Sequence, residues 1–212
     1  MESRPRLRTR STRKRTHSDI KLNGDAAAAI LTPIYEALPK TTAAGHHNLT
    51  YGEIEWAALK IMSSYPKIPG RFYDLGCGRG RAVLYMALTG LFESSVGIEV
   101  LPERTKLAHQ ALNNLKASVP TAGAKVKLYE ASFLNPSFKY KDASVVFLSN
   151  LCFDDNTQTA LFNKLNLEMP KGSLVFCSRT PSTLPSAFEA VGVESAPMSW
   201  TSDSHLYIMR HI

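Results

Sequence analysis

Two rhythms of apolar positions run along this chain, one near the helical period and one alternating as in a strand. The stretch TYGEIEWAALKIMSSY, residues 50–65, puts Ile54, Ala57, Ala58, Ile61 and Met62 on one helical face, with Thr50 at the N-cap position. Glu53 stands three residues after that cap, so a capping-box role competes with a functional one. Upstream, AAAAILTPIYEALPK predicts a short helix stopped by Pro33 and Pro39. From residue 71 the two rhythms alternate. RFYDL predicts a strand, RAVLYMALTGL a helix, SSVGIEV a strand, and PERTKLAHQALNNLKAS a helix with Pro102 in its first turn. AKVKLYEASF and ASVVFLSN follow as strands, TQTALFNKLNLEM as a helix, SLVFCSR as a strand and LPSAFEAVG as a short helix. ESAPMSW and HLYIMRH finish the chain as strands joined by the turn-rich TSDS. Strands alternating with helices predict an α/β, doubly wound (Rossmann-like) parallel sheet, and the last two strands predict an antiparallel hairpin at its edge.

Length and charge divide the chain. Its 212 residues, 44% of them hydrophobic, suit one domain with a sizeable core. Of the net charge of +7, a surplus of +6 falls in the first 17 residues, where Arg4, Arg6, Arg8, Arg10, Arg13, Lys14 and Arg15 oppose only Glu2. A basic run without apolar periodicity cannot offset its ordering entropy, so residues 1–19 read as a disordered arm. Three roles fit its composition: a solubilising tail, a nuclear-import or phosphate-contacting arm, and a mitochondrial presequence. Residues 20–50 read as a helical and loop extension, and the polar TTAAGHHNL within it places His46 and His47 on a solvated loop. Cys77, Cys152 and Cys177 are odd in number and widely spaced, which argues against a disulfide framework or a metal site. With no apolar run approaching about 18 residues and no signal-peptide pattern, the chain reads as soluble and intracellular, with no membrane partner.

The chemistry concentrates in FYDLGCGRGRAV, residues 72–83. Ligands of doubly wound sheets sit outside the carboxyl ends of the strands, where Asp74 and the following loop belong. Dinucleotide binding favours G-x-G-x-x-G, and Arg81 occupies the place of the third glycine. Asp74, Gly76, Gly78 and Gly80 instead form D-x-G-x-G-x-G, which resembles motif I of class I S-adenosylmethionine-dependent methyltransferases. Glu99 ends the second strand about 20 residues on, the distance at which an acid reaches a ribose diol.

Four stretches, TYGEI (50–54), YDLGCGRG (73–80), EASFLNPSF with ASVVFLSNLCF (130–153) and SWTSDSHLYI (199–208), resemble in order and spacing one methyltransferase family. It is the disruptor-of-telomeric-silencing type, the non-SET histone H3 lysine-79 methyltransferases, and the resemblance covers roughly residues 30–212. It implies a seven-stranded class I methyltransferase sheet, a methyltransferase domain over residues 51–212, and S-adenosyl-L-methionine as cofactor. Carried over by position, Tyr51 and Glu53 belong to the loop closing over cofactor and substrate. Asp74, Gly76, Gly78 and Gly80 form the motif I turn, Glu99 holds the ribose, and Phe133 packs on the adenine beside Ser132. Asn150 and Tyr207, with Tyr51, line the channel for a target lysine and are the implied catalytic residues. Departures from the family pattern are Arg81 for Gln, Ser132 for the acid preceding Phe133, and Ser149-Asn150 for a pair of asparagines.

Methyl transfer to an amine requires alignment and a neutral nucleophile, which a narrow apolar and aromatic channel supplies by desolvation. Tyr51, Phe153 and Tyr207 are candidates for its walls, and each also suits a core position. The resemblance implies a histone in nucleosomes as substrate, with the arm on DNA or RNA phosphates and the nucleus as compartment, the mitochondrion or cytoplasm being alternatives. Two rivals remain. A methyltransferase of RNA or of another substrate shares the fold, although SNLCF stands where amino-group nucleic-acid methylases carry acid-Pro-Pro-aromatic. A non-catalytic chromatin or nucleic-acid binder would explain Ser132 and Ser149.

Overall fold

The computed structural model describes residues 21–39 and 52–212. The expectations for the basic arm, for His46 and His47, and for Thr50 and Tyr51 lie outside the described residues. The elements are α1 (Gly24–Glu36), α2 (Trp56–Ser64), β1 (Arg71–Leu75), α3 (Arg81–Thr89), β2 (Ser95–Glu99), α4 (Pro102–Ser118), α5 (Pro120–Gly123), β3 (Val126–Glu130), β4 (Ala143–Leu148), α6 (Asp155–Glu168), β5 (Leu174–Cys177), β6 (Phe188–Met198) and β7 (Thr201–His211).

The strands form one seven-stranded sheet in the order β3-β2-β1-β4-β5-β7-β6. Strands β1 to β5 pair in parallel, whereas β7 runs antiparallel to both β5 and β6. In β4 and β5 every residue is buried, as strands covered on both faces require, and their sequences are accordingly continuous apolar runs. Leu31 and Tyr35 of α1, Leu59 of α2, Leu84 and Met86 of α3, and Leu115 of α4 share one core cluster. The α1 segment is therefore part of the same core as the sheet. Leu161, Phe162 and Leu165 of α6, together with Tyr140 and Phe138 from the connection before β4, cover the opposite face. Neighbours β1 and β4 are wound in opposite directions, so a crevice opens at their carboxyl ends.

Four local expectations change. Helix α1 continues through Pro33, which sits in its last turn and removes only one ladder donor, while burial of Ile34 and Tyr35 holds that turn in place. Helix α2 begins at Trp56 with Glu55 at the N-cap, so Glu53 precedes the helix and the capping-box reading is overturned. LPSAFEAVG contributes to strand β6 instead of a helix. An extra residue between Ala190 and Gly192 resets the strand alternation there, which makes a bulged strand mimic helical spacing. Lastly, TSDS lies within β7, and the hairpin reverses at Ser199 and Trp200, with Met198 opposite Thr201.

Candidate functional site

A cavity of about 400 Å³ opens at the carboxyl ends of β1, β2 and β4. Its floor is the loop between β1 and α3. Gly76 at φ 90° turns the chain out of β1, and a Cβ there would come within 3.3 Å of the Phe153 ring. Gly80, at φ 79°, caps α3 in a left-handed conformation that a side chain would strain. Between them the Gly78 N–H donates to Glu99 Oε2 at 2.8 Å, while Glu99 Oε1 accepts from the N–H groups of Val100 (2.9 Å) and Leu101 (3.0 Å). The carboxylate is thus fixed at the end of β2 by three backbone donors, facing the glycine loop.

Asp74 lies beside it, 3% exposed, and its Oδ1 has no hydrogen-bond partner among the described residues. Burial, and then the Glu99 carboxylate, holds the Asp74 carboxyl well above the usual range. Burial and the same two acids push the Cys77 thiol up. The cavity floor therefore brings two carboxyl groups together at the carboxyl ends of β1 and β2.

The adjoining wall is an ion-pair cluster. Glu53 accepts from Arg79 Nε at 2.8 Å and Arg79 Nη2 at 2.6 Å in a two-pronged pair, and from Arg81 Nη1 at 3.3 Å. Arg81 also reaches Glu55 at 3.3 Å and stacks 3.9 Å over the Trp56 ring. Arg79 Nη1 donates to the Pro39 carbonyl (3.1 Å), and Tyr35 donates its hydroxyl to the Arg79 carbonyl (3.0 Å). The segment before α2 is held from its other side by the hairpin. Ile54 bridges to Met198, Ser199 N–H donates to the Glu53 carbonyl, and the Glu53 N–H donates to Ser199 Oγ. Trp200 covers Gly52 so closely that a Cβ would meet its ring at 2.1 Å.

The far wall is aromatic. Phe133 and Phe153 both line the cavity and stack on each other, with centroids 5.3 Å apart and planes at 28°. Of the residues expected from sequence, Glu53, Asp74, Gly76, Gly78, Glu99 and Phe133 come together around the cavity. Gly80 stands behind the loop, close to Ala108 and Leu84. Ser132 is exposed outside the lining, its Oγ accepting from the Leu134 N–H at 3.2 Å. Asn150 and Tyr207 do not line the cavity. The Asn150 side chain is wholly buried: its Oδ1 accepts from the N–H groups of Ser178 and Arg179, and its Nδ2 donates to the Arg179 carbonyl and the Gln158 amide. Because strand side chains alternate, Phe147 and Ser149 face the cavity while Asn150 points away. Tyr207 sits opposite Cys177 on β7, packed against the α6-side core and stacked on His205.

Sequence reasoning thus missed Ser149 as a lining residue and the pairing of Arg79 and Arg81 with Glu53. Strand parity signals the first. Two arginines interleaved with the loop glycines, against acids at positions 53 and 55, signal the second.

The solved structure of TrmN from Thermus thermophilus superposes with a TM-score of 0.55 at 14% identity, over 74% of this chain and 47% of that one. A protein of the NADB-Rossmann superfamily from Streptococcus agalactiae superposes at 0.53 and 14%, over 73% and 67%. At such identities the likeness shows the fold, which is the Rossmann-like α/β fold with a C-terminal antiparallel pair. A Caenorhabditis elegans protein described as histone-lysine N-methyltransferase, H3 lysine-79 specific, is 30% identical over 161 residues, a match taking in 69% of this chain. The chain spans only 17% of the length of that curated relative. The model of the family described as histone methylation protein DOT1 matches residues 36–211, a span that holds the glycine loop, Glu99, the aromatic wall and the terminal hairpin, and the chain belongs to that family.

Proposed function

We propose that this chain is an S-adenosyl-L-methionine-dependent protein-lysine methyltransferase acting on histone H3 in nucleosomes. The observation that carries the reading is the cavity at the sheet's switch point, where Asp74 and Glu99 face the aromatic pair Phe133 and Phe153 across the glycine loop. The donor set fits the cofactor. An orphaned buried oxygen on Asp74 suits an ammonium group, the Glu99 carboxylate suits vicinal hydroxyls, and a flat ring suits adenine. Asp74, Gly76, Gly78 and Gly80 would hold the amino-acid portion, Glu99 the ribose and Phe133 the adenine, with Tyr51 and Glu53 closing the site. When bound, the cofactor supplies an electrophilic methyl group on a sulfonium, which only an uncharged amine attacks.

The chain's own part is to orient and dry that amine. Val100, Leu151 and Trp200 are large apolar side chains exposed at the lining of the cavity, a surface matched to a protein side chain and its flanks. Desolvation there lowers the pKa of an entering lysine and so populates its nucleophilic form. Ser149 and Phe153 are the cavity-facing residues of the channel end. Asn150 is a positioning residue, tying the end of β4 to Ser178 and Arg179 after β5. Residues 1–19 would contact nucleosomal DNA phosphates, and the nucleus is the compartment this reading implies.

The test is transfer of labelled methyl from S-adenosyl-L-methionine to intact nucleosomes, free histones and total RNA. Labelling confined to histone H3, strongest on nucleosomes, is expected. Labelling of RNA would place the substrate in another class, and cofactor binding without any labelling would make the chain a non-catalytic relative.

A further inference from the structure

The turn after β4 carries Leu151, Cys152 and Phe153 into the lining of the cavity. The Phe153 ring stacks on Phe133 and stands over the glycine loop, where a Cβ on Gly76 would meet it at 3.3 Å. What holds this turn lies outside the cavity lining, in Arg179 just past β5. The Arg179 backbone is joined to Asn150 by two hydrogen bonds, its N–H donating to Oδ1 at 3.0 Å and its carbonyl accepting from Nδ2 at 2.7 Å. Its guanidinium donates through Nη2 to the Phe153 carbonyl and pairs with Asp155 Oδ1 at 3.2 Å. The Phe153 N–H closes the ring on the Asn150 carbonyl at 3.2 Å. Gln158, buried, lies between the Asn150 amide and the Arg179 guanidinium, and its one side-chain oxygen accepts from either according to how the amide is turned.

We propose that Arg179 is a positioning residue for methyl transfer: by holding the 150–153 turn it fixes the Phe153 ring against Phe133 and Gly76, and so sets the width of the channel where the acceptor amine meets the methyl group. The inference rests on the methyl-transfer reading above and deepens it. The turn is anchored at both ends. Asn150 ties its start to the end of β5, and Asp154 Oδ1 accepts from the Thr157 N–H at 2.8 Å, so that α6 begins directly after it. Between these anchors the Phe153 carbonyl is held by the Arg179 guanidinium, through a charge-assisted hydrogen bond. In-line displacement tolerates little misplacement, a shift of about 1 Å costing on the order of a hundred-fold in rate. Stability depends on Arg179 much less, because Asp155 is 74% exposed and an ion pair with so exposed a partner contributes little.

The experiment compares the full chain as wild type, Arg179→Met, Arg179→Lys and Asp155→Asn, measuring kcat for methyl transfer to nucleosomes, the Kd of S-adenosyl-L-methionine, and hydrogen exchange. Arg179→Met is expected to lower kcat by about ten- to hundred-fold and to leave the cofactor Kd within about threefold, since Asp74, Glu99 and Phe133 are untouched. Arg179→Lys, whose ammonium still reaches one acceptor, should recover part of the loss. Asp155→Asn removes the ion pair and leaves the Phe153 contact, so its kcat should stay within about twofold of the wild type. An unchanged kcat in Arg179→Met overturns the proposal, as does a fall of kcat and cofactor affinity in equal proportion, which a merely structural residue would cause. A loss in Asp155→Asn equal to that in Arg179→Met overturns it too. Exchange of the Phe153 amide, bonded across the turn to Asn150, needs no activity: it should quicken at least about tenfold in Arg179→Met, and an unchanged rate overturns the holding role. In a wild type that methylates nothing, faster exchange still upholds Arg179 as the holder of the turn, and it is the proposed function that fails.

Discussion

Asp74 shows what the site costs the protein that carries it. Its carboxyl is buried beside a second acid, with one oxygen unpaired among the described residues, and burial and the neighbouring charge both favour the protonated form. A folded pKa raised above the unfolded one gives a contribution to stability that is complete below the unfolded value, about 3.9, and is lost as pH rises through the folded value. Asp74→Asn removes that loss. The melting temperature of the ligand-free variant should therefore exceed that of the wild type by a margin that widens as pH rises above the unfolded carboxylate value, each kcal/mol gained appearing as about 2–4 °C. The same variant should bind the cofactor at least about tenfold more weakly, because a neutral amide replaces the acid facing the ammonium. A margin that narrows with rising pH would show that Asp74 is not the strained group. At this scale Asp74, the loop glycines and Glu99 were legible from spacing alone. Asn150 was assigned to the channel by its place in the family resemblance, whereas its direction is set by the pleat, which turns Ser149 toward the cavity.

Among the elements, β2 lies where the glycine loop, α3 and β3 converge. Gly97 in its centre has no room for a side chain: a Cβ would meet Cys77 Sγ at 2.7 Å, Leu128 at 2.8 Å and Val83 at 2.9 Å. Gly97→Ala should cost about 1–3 kcal/mol by overpacking, read as a lower urea midpoint at unchanged slope. Because Cys77 belongs to the glycine loop, cofactor affinity should fall with it. An unchanged midpoint would mean that the three side chains give way freely. The bounds of β1 and α4 agree with those read from RFYDL and PERTKLAHQALNNLKAS, since a buried parallel strand and a helix opened by Pro102 are locally specified. Strand β6 was read partly as a helix because its bulges break the alternation on which strand recognition depends, and its pairing with β7 is what makes it a strand. The hairpin turn moved to Ser199 and Trp200 for a similar reason, as Ser199 hydrogen-bonds to Glu53 and Trp200 covers Gly52.

At the scale of the whole molecule, most of the net charge belongs to residues 1–19 rather than to the unit that carries the cavity. A chain lacking residues 1–19 should bind the cofactor unchanged, yet associate with nucleosomes more weakly and with a shallower dependence on salt, the logarithmic slope falling by roughly 0.9 for each phosphate that is no longer neutralised. Equal salt slopes with and without these residues would remove them from the interface. The alternation of strands and helices, the glycine loop at the end of the first strand, the acid at the end of the second and the family resemblance are all legible along the chain. These features are written within short windows, as period, turn chemistry and fixed spacing. Packing in three dimensions sets which side of β4 meets the cavity, shares Glu53 between Arg79 and Arg81, and clasps the segment before α2 with the last hairpin. Those outcomes depend on partners far apart in the chain, for which local pattern holds no preference until the sheet brings them together.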